Sequence, residues 1–218
     1  MLIKKRSRKK SSRDADALRE SICKIAAQSW RYKQVLSKAL QCMDPTNAER
    51  FSRQYSYFAR RVERAIAATG LKKADYTDRP NDVRLQAQAM EPKAFDADAM
   101  RISIAEIAAE SWRYEQALSK AIRRMDPMDA ERFYSQYSYF ARQVKQAVDE
   151  AGLRVVDYAG QPYDVGLPVQ AMNLEDFDED EALIIAQTVE PVIMSEGRVI
   201  KTGMVMLDHV RDMGGWEE

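Results

Sequence analysis

The chain is poor in histidine, cysteine, glycine and proline. Its 218 residues hold one His, two Cys, eight Gly and seven Pro. A single histidine, His209, removes most zinc, haem and imidazole-base chemistry. Cys23 and Cys42 lie 19 positions apart in a stretch that reads as one helix, roughly 28 Å at about 1.5 Å per residue. A disulfide needs Cα atoms within about 7 Å, so the pair reads as two inert thiols in a reducing compartment. Charge of one sign is not in excess, since 34 Lys and Arg balance 34 Asp and Glu. No global field then steers the chain to nucleic acid or membrane. Long apolar runs are missing too: the longest is about five residues, against the roughly 20 that span a bilayer. Residues 1–13 lack the apolar core of a secretory signal. These absences predict a soluble, cytoplasmic protein of one or two domains.

Catalytic constellations are also missing. There is no Gly-rich phosphate loop, no His-Glu-x-x-His helix, no Gly-x-Ser-x-Gly elbow and no paired-Cys metal site. The acid run Glu175-Asp176-Phe177-Asp178-Glu179-Asp180-Glu181 lacks the central glycine of a calcium loop and reads as a solvated loop. His209 reads as a surface or half-buried residue. The expectation is a protein that is not an enzyme and that needs no cofactor and no metal.

What is present is a repeat. Ile25-Ala26-Ala27-Gln28-Ser29-Trp30-Arg31-Tyr32 returns as Ile107-Ala108-Ala109-Glu110-Ser111-Trp112-Arg113-Tyr114, and Gln54-Tyr55-Ser56-Tyr57-Phe58-Ala59-Arg60 returns as Gln136-Tyr137-Ser138-Tyr139-Phe140-Ala141-Arg142. The offset is constant at 82 positions, and about 30 of the 45 residues from Ser21 to Ala65 are identical in the second copy. Beyond Gly70 and Gly152 the match thins. The first copy stops near Met100, whereas the second continues through Leu183 to Leu207.

Each copy opens on two helices. Ile22, Ile25, Ser29, Tyr32, Leu36, Ala39 and Met43 recur at spacings of three and four, as do Phe51, Tyr55, Phe58, Val62 and Ala65. That is one apolar stripe per helix, near the 3.5 period of a bundle seam. Asp44 suits an N-cap and Pro45 the first helical position. Gly70 and Gly152 suit left-handed C-caps. The pattern predicts helices at about 15–42, 45–69, 99–124 and 127–151. A short turn makes each pair antiparallel, and one hairpin cannot bury its own stripe. Two can, so the sequence predicts a pseudo-twofold four-helix bundle within one chain. A monomer is expected, with a homodimer as the alternative. Trp30, Trp112 and the paired Tyr-x-Tyr-Phe sets read as core at this spacing.

The rest has a β texture. Leu153–Tyr158, Leu183–Glu190 and Val199–Leu207 read as strands, and Ser195-Glu196-Gly197-Arg198 reads as a turn. The predicted class is α+β, mainly α: a basic, disordered arm at 1–14, a first hairpin with a degenerate β-segment at 15–100, a second hairpin at 101–152, a β-domain at 153–208 and a tail at 209–218. Seven of the first thirteen residues are Lys or Arg. Lys4, Lys5, Arg6, Arg8, Lys9 and Lys10 can hold phosphate by counterion release, or serve only as a solubilising tail.

This order of parts resembles the GrpE family of nucleotide exchange factors for DnaK-type chaperones. The stretch Val148–Asp164 is similar to that family's passage from the last bundle helix into its β-domain. Gly197-Arg198-Val199-Ile200-Lys201-Thr202-Gly203-Met204-Val205-Met206-Leu207 is similar to its final hairpin. The resemblance covers about 103–208 and, more weakly, 21–100. It implies a bundle that serves as a rigid mount, and a β-domain that binds the ATPase domain of a DnaK-type chaperone and promotes ADP release. It also implies contact residues at Arg198 and Gly197, with Met194, Val192 and Lys201 on the flanking strands. The chain departs from the family in three ways: Val165–Val169 stands where a His is usual, the segment before the first bundle helix is short, and one β-domain serves two hairpins. These departures leave open an adaptor that binds a partner without exchange activity.

Overall fold

The computed structural model describes residues 2–41, 45–69, 97–123, 127–178 and 181–210. The protein is α+β and mainly α, and the described residues form four helices followed by two small sheets. The helices are α1 (Leu2–Leu40), α2 (Pro45–Thr69), α3 (Ala97–Ile122) and α4 (Pro127–Glu150). The strands are β1 (Leu153–Val156), β2 (Val169–Ala171), β3 (Leu183–Glu190), β4 (Val192–Ser195), β5 (Arg198–Lys201) and β6 (Gly203–His209). The chain divides into two compact units, Met1–Leu153 and Arg154–Glu218.

In the helical unit α1 packs on α2, α2 on α3, α3 on α4 and α4 on α1, and α1 also meets α3 across the middle. The stripes drive this arrangement. Ile22, Ile25, Ser29, Tyr32 and Leu36 are buried on α1, and Phe51, Tyr55, Phe58, Val62 and Ala65 on α2. Their counterparts Ile104, Ile107, Tyr114, Leu118, Phe133, Tyr137, Phe140, Val144 and Ala147 are buried as well. The repeat becomes symmetry. Equivalent rings meet at Phe51 and Phe133 (5.5 Å between centroids) and again at Phe58 and Phe140 (5.4 Å). Tyr32 and Tyr114 meet between them (6.1 Å). Equivalent residues touching at successive heights place an approximate twofold axis along the bundle.

Three expectations change. The basic stretch is not a disordered arm, because α1 runs back to Leu2. Residues 2–40 contain neither Gly nor Pro, and Lys and Arg are good helix formers, so nothing breaks the helix there. Trp30 is exposed and Trp112 half-buried, so neither is central core. Within each Tyr-Ser-Tyr-Phe set, the first Tyr and the Phe face inward while Tyr57 and Tyr139 stand exposed. Residues 55 and 58 share a helical face, and 57 lies on the other side. The Arg60 guanidinium covers the Tyr57 ring at 4.7 Å. The expected caps Asp44 and Gly70, Cys42, Met43, the degenerate β-segment over 70–96 and the tail 211–218 lie outside the described residues.

The C-terminal unit holds two three-stranded sheets, ordered β1-β4-β5 and β2-β6-β3. β6 is the centre of the second, parallel to β2 and antiparallel to β3. Its core is Leu183, Ile185, Val205 and Leu207, with Tyr163, Leu167 and Phe177 packed against them. The predicted strand Val199–Leu207 is two strands. Thr202 interrupts it, and β5 and β6 join different sheets. β6 opens on a close approach at Gly203, where a Cβ would lie 2.8 Å from the Glu190 carbonyl oxygen and 2.9 Å from a Val192 methyl.

Candidate protein-binding site

The residues expected to meet a partner lie on and beside the β4–β5 hairpin. Its loop is two residues long, and both adopt positive φ: 49° at Glu196 and 78° at Gly197. That is the geometry of a type I′ turn, whose twist matches the flanking strands. Gly197 takes it without strain; Glu196 does not, so strand pairing holds it there. Ser195 pairs with Arg198 and Met194 with Val199. Arg198 and Val199 are both exposed. A short turn between paired strands thus presents a guanidinium at the start of β5, with the exposed Val199 side chain on the opposite face of the strand.

The other expected contact residues fare differently. Met194 is half-buried. Val192 is fully buried, with its methyl against Gly203, so it belongs to the core and not to a contact surface. Lys201 is tied down: its Nζ lies 2.8 Å from Oε1 of Glu190, a carboxylate that is itself buried. Its charge therefore balances Glu190.

A second surface feature escaped the sequence reading. A groove of about 940 Å³ opens beside β2 and β3. Tyr163, Met172, Leu174 and Phe177 line it with apolar surface, and Asp164, Glu175, Asp178 and Glu181 stand among them. The described acidic residues of the run, Glu175, Asp176, Asp178 and Glu181, are exposed, as expected of a solvated loop, while Phe177 is half-buried. Phe177 packs onto the sheet core and carries its acidic neighbours with it. The aromatic ring in the middle of an acid run was the available signal. Asn173 fixes the segment to β6: its Nδ2 donates to the Leu207 carbonyl at 3.1 Å, and its Oδ1 accepts from the Leu207 N–H at 2.9 Å. The side-chain amide thereby replaces a stretch of backbone pairing beyond β2. Asp164 Oδ1 accepts from the Gly166 N–H at 2.6 Å, an Asx turn that shapes the rim. His209 is exposed, with its ring edge-on to Phe177 and Nδ1 3.7 Å from Glu181 Oε2.

Among the described residues no group of three or more His, Cys, Asp or Glu is placed to hold a metal ion, and no helix is long and apolar enough to cross a membrane. Comparison with known proteins finds no matching family model, curated protein or solved structure.

Proposed function

We propose that the C-terminal unit is a protein-binding module and that the chain acts as a GrpE-like co-chaperone. In this reading it binds the ATPase domain of a DnaK-type chaperone and promotes ADP release. The observation that supports it most is the exposed Arg198 beside a two-residue turn, at the Gly-Arg position on which the resemblance rests. A guanidinium held by a stiff hairpin pairs well with a carboxylate, because two parallel N–H donors meet two oxygens. Exchange requires differential affinity. The module must hold the nucleotide-free chaperone more tightly than the ADP-bound one, and that difference sets the largest possible acceleration.

The test is the rate of ADP release from a loaded DnaK-type chaperone, with and without the protein. Acceleration is expected, with a loss of about tenfold or more on Arg198→Ala. No acceleration by the wild-type chain overturns the exchange reading. A second reading, an adaptor that binds without exchange, is favoured by the burial of Val192 and the pairing of Lys201 with Glu190, which leave the hairpin fewer contact groups. Capture of the chaperone with an unchanged release rate selects it.

A further inference from the structure

The two copies differ at about a third of the positions from Ser21 to Ala65, and some of those differences fall on the seams between hairpins with complementary signs. Arg61 of α2 reaches Glu106 on α3 at 3.0 Å and Glu110 at 3.6 Å. The positions one repeat away are Lys24, Gln28 and Gln143. In the other seam Lys24 of α1 reaches Glu150 of α4 at 2.6 Å, and the positions one repeat away are Glu106 and Ala68. Each seam therefore joins a cation from the first copy to carboxylates from the second. Lys24 also takes Glu20, one turn earlier, at 3.2 Å.

The approximate twofold allows the alternatives to be read by substitution. If first hairpins paired with each other, Arg61 would face Lys24 and Gln28 of the other copy. Two cations would then meet in each seam, and no carboxylate would stand at Glu150's place. If second hairpins paired with each other, Glu150 would face Glu106, and Gln143 would face Glu106 and Glu110. The apolar stripes do not discriminate, because they are nearly identical in both copies. The charges do, since like pairs repel where unlike pairs attract.

We propose that these substitutions make the hairpins a heterospecific pair, so that each recognises the other and rejects itself. The interaction surface is the set of two seams, and the partner it fits is the other hairpin of the same sequence. Self-pairing of second hairpins would build a dimer with two C-terminal β-units. The seam charges oppose that assembly and favour one bundle, and one β-unit, per chain.

The self-paired seams can be built inside a single full-length chain. One variant gives the second copy the first copy's residues (Glu106→Lys, Glu110→Gln, Gln143→Arg, Glu150→Ala). A second does the reverse (Lys24→Glu, Gln28→Glu, Arg61→Gln, Ala68→Glu). A third carries all eight changes, which exchanges the seams but keeps their signs complementary. At low salt the first two are expected to melt roughly 5 °C below wild type, with the deficit shrinking as salt screens the charges. The eight-fold variant loses the Lys24–Glu20 pair within α1 but regains complementary seams, and is expected to melt clearly above both four-fold variants. If either four-fold variant fails to fold, the eight-fold variant still decides, because it contains every substitution. Four-fold variants as stable as wild type, or an eight-fold variant no better than they are, overturn the proposal.

Discussion

The hydroxyls of Tyr32 and Tyr114 lie 2.9 Å apart in the interior of the bundle, on residues that occupy the same place in the two copies. They share one buried hydrogen bond, in which one hydroxyl donates and the other accepts. The pair thus links the twofold of the repeat to a polar contact that only a folded bundle can make. Removing one hydroxyl takes that partner from its mate, which costs about 1–3 kcal/mol; removing both leaves only apolar rings and is close to neutral. Tyr32→Phe and Tyr114→Phe are each expected to lower stability by roughly that amount, while the double variant recovers most of the loss. Urea unfolding of the four proteins in the cycle measures the coupling. Losses that simply add would mean the hydroxyls do not depend on each other.

The symmetry breaks one layer away. Tyr55 donates to the Ser29 carbonyl at 2.5 Å and lies 2.9 Å from the Ser29 hydroxyl. Its counterpart Tyr137 is buried with no hydrogen-bond partner for its hydroxyl among the described residues, although Ser111 stands where Ser29 does in the first copy. A buried hydroxyl without a partner is a net cost. Tyr137→Phe is therefore expected to be neutral or to stabilise by about 1 kcal/mol, whereas Tyr55→Phe loses about the same. Two melting curves compare them. Equal losses at both sites would show that Tyr137 is satisfied in solution.

Burial pushes the hydroxyls of Tyr32, Tyr55, Tyr114 and Tyr137 up, Tyr55 to about 12. Desolvation of the phenolate is the main cause at each. An unfolded chain releases these protons near pH 10, whereas the bundle retains them. Above that pH the unfolded state binds fewer protons than the native state, so stability falls as pH rises. It is complete below about pH 10, and each pH unit above that costs up to about 1.4 kcal/mol per tyrosine. Helical circular dichroism and tyrosinate absorbance, followed together on an alkaline titration, are expected to change in one steep step for these four rings. Gradual ionisation with the helices intact would contradict the burial.

The hairpins were legible because a helix with one buried face writes that face into its sequence every three to four residues. The repeat then showed how two such faces cover each other. Ile22, Tyr32, Phe51 and Tyr55 all sit where the spacing put them. The α1 extension was not legible, because a run of Lys and Arg reads as tail or as helix with equal ease. β2 was not legible either, since three residues, Val169–Ala171, carry no alternation long enough to detect. The groove was hidden for a related reason: it depends on Asn173 reaching Leu207, 34 positions away. Of the residues proposed as contacts, Arg198 follows a turn that Gly197 marks in the sequence. The burial of Val192 and the pairing of Lys201 with Glu190 were not legible, because period-two alternation cannot say which face another sheet covers.

Gly203 shows the same point at a single atom. It begins β6 and looks like a weak spot in an apolar strand, yet a Cβ there would lie 2.8 Å from the Glu190 carbonyl oxygen and 3.2 Å from the Val192 backbone nitrogen. Both obstacles include backbone, so the strand itself must move. Gly203 also donates its N–H to the Pro168 carbonyl at 3.1 Å and pairs in register with Val169, which limits how far it can retreat. Gly203→Ala is expected to destabilise the C-terminal unit by about 1–3 kcal/mol. The loss should concentrate in that unit: amide exchange is expected to speed up along β2, β3 and β6 while the helices keep their protection. Protection lost equally in α1–α4 and in the sheets would mean that the two units unfold together, and unchanged exchange in both would mean that the approach at Gly203 is looser than 2.8 Å.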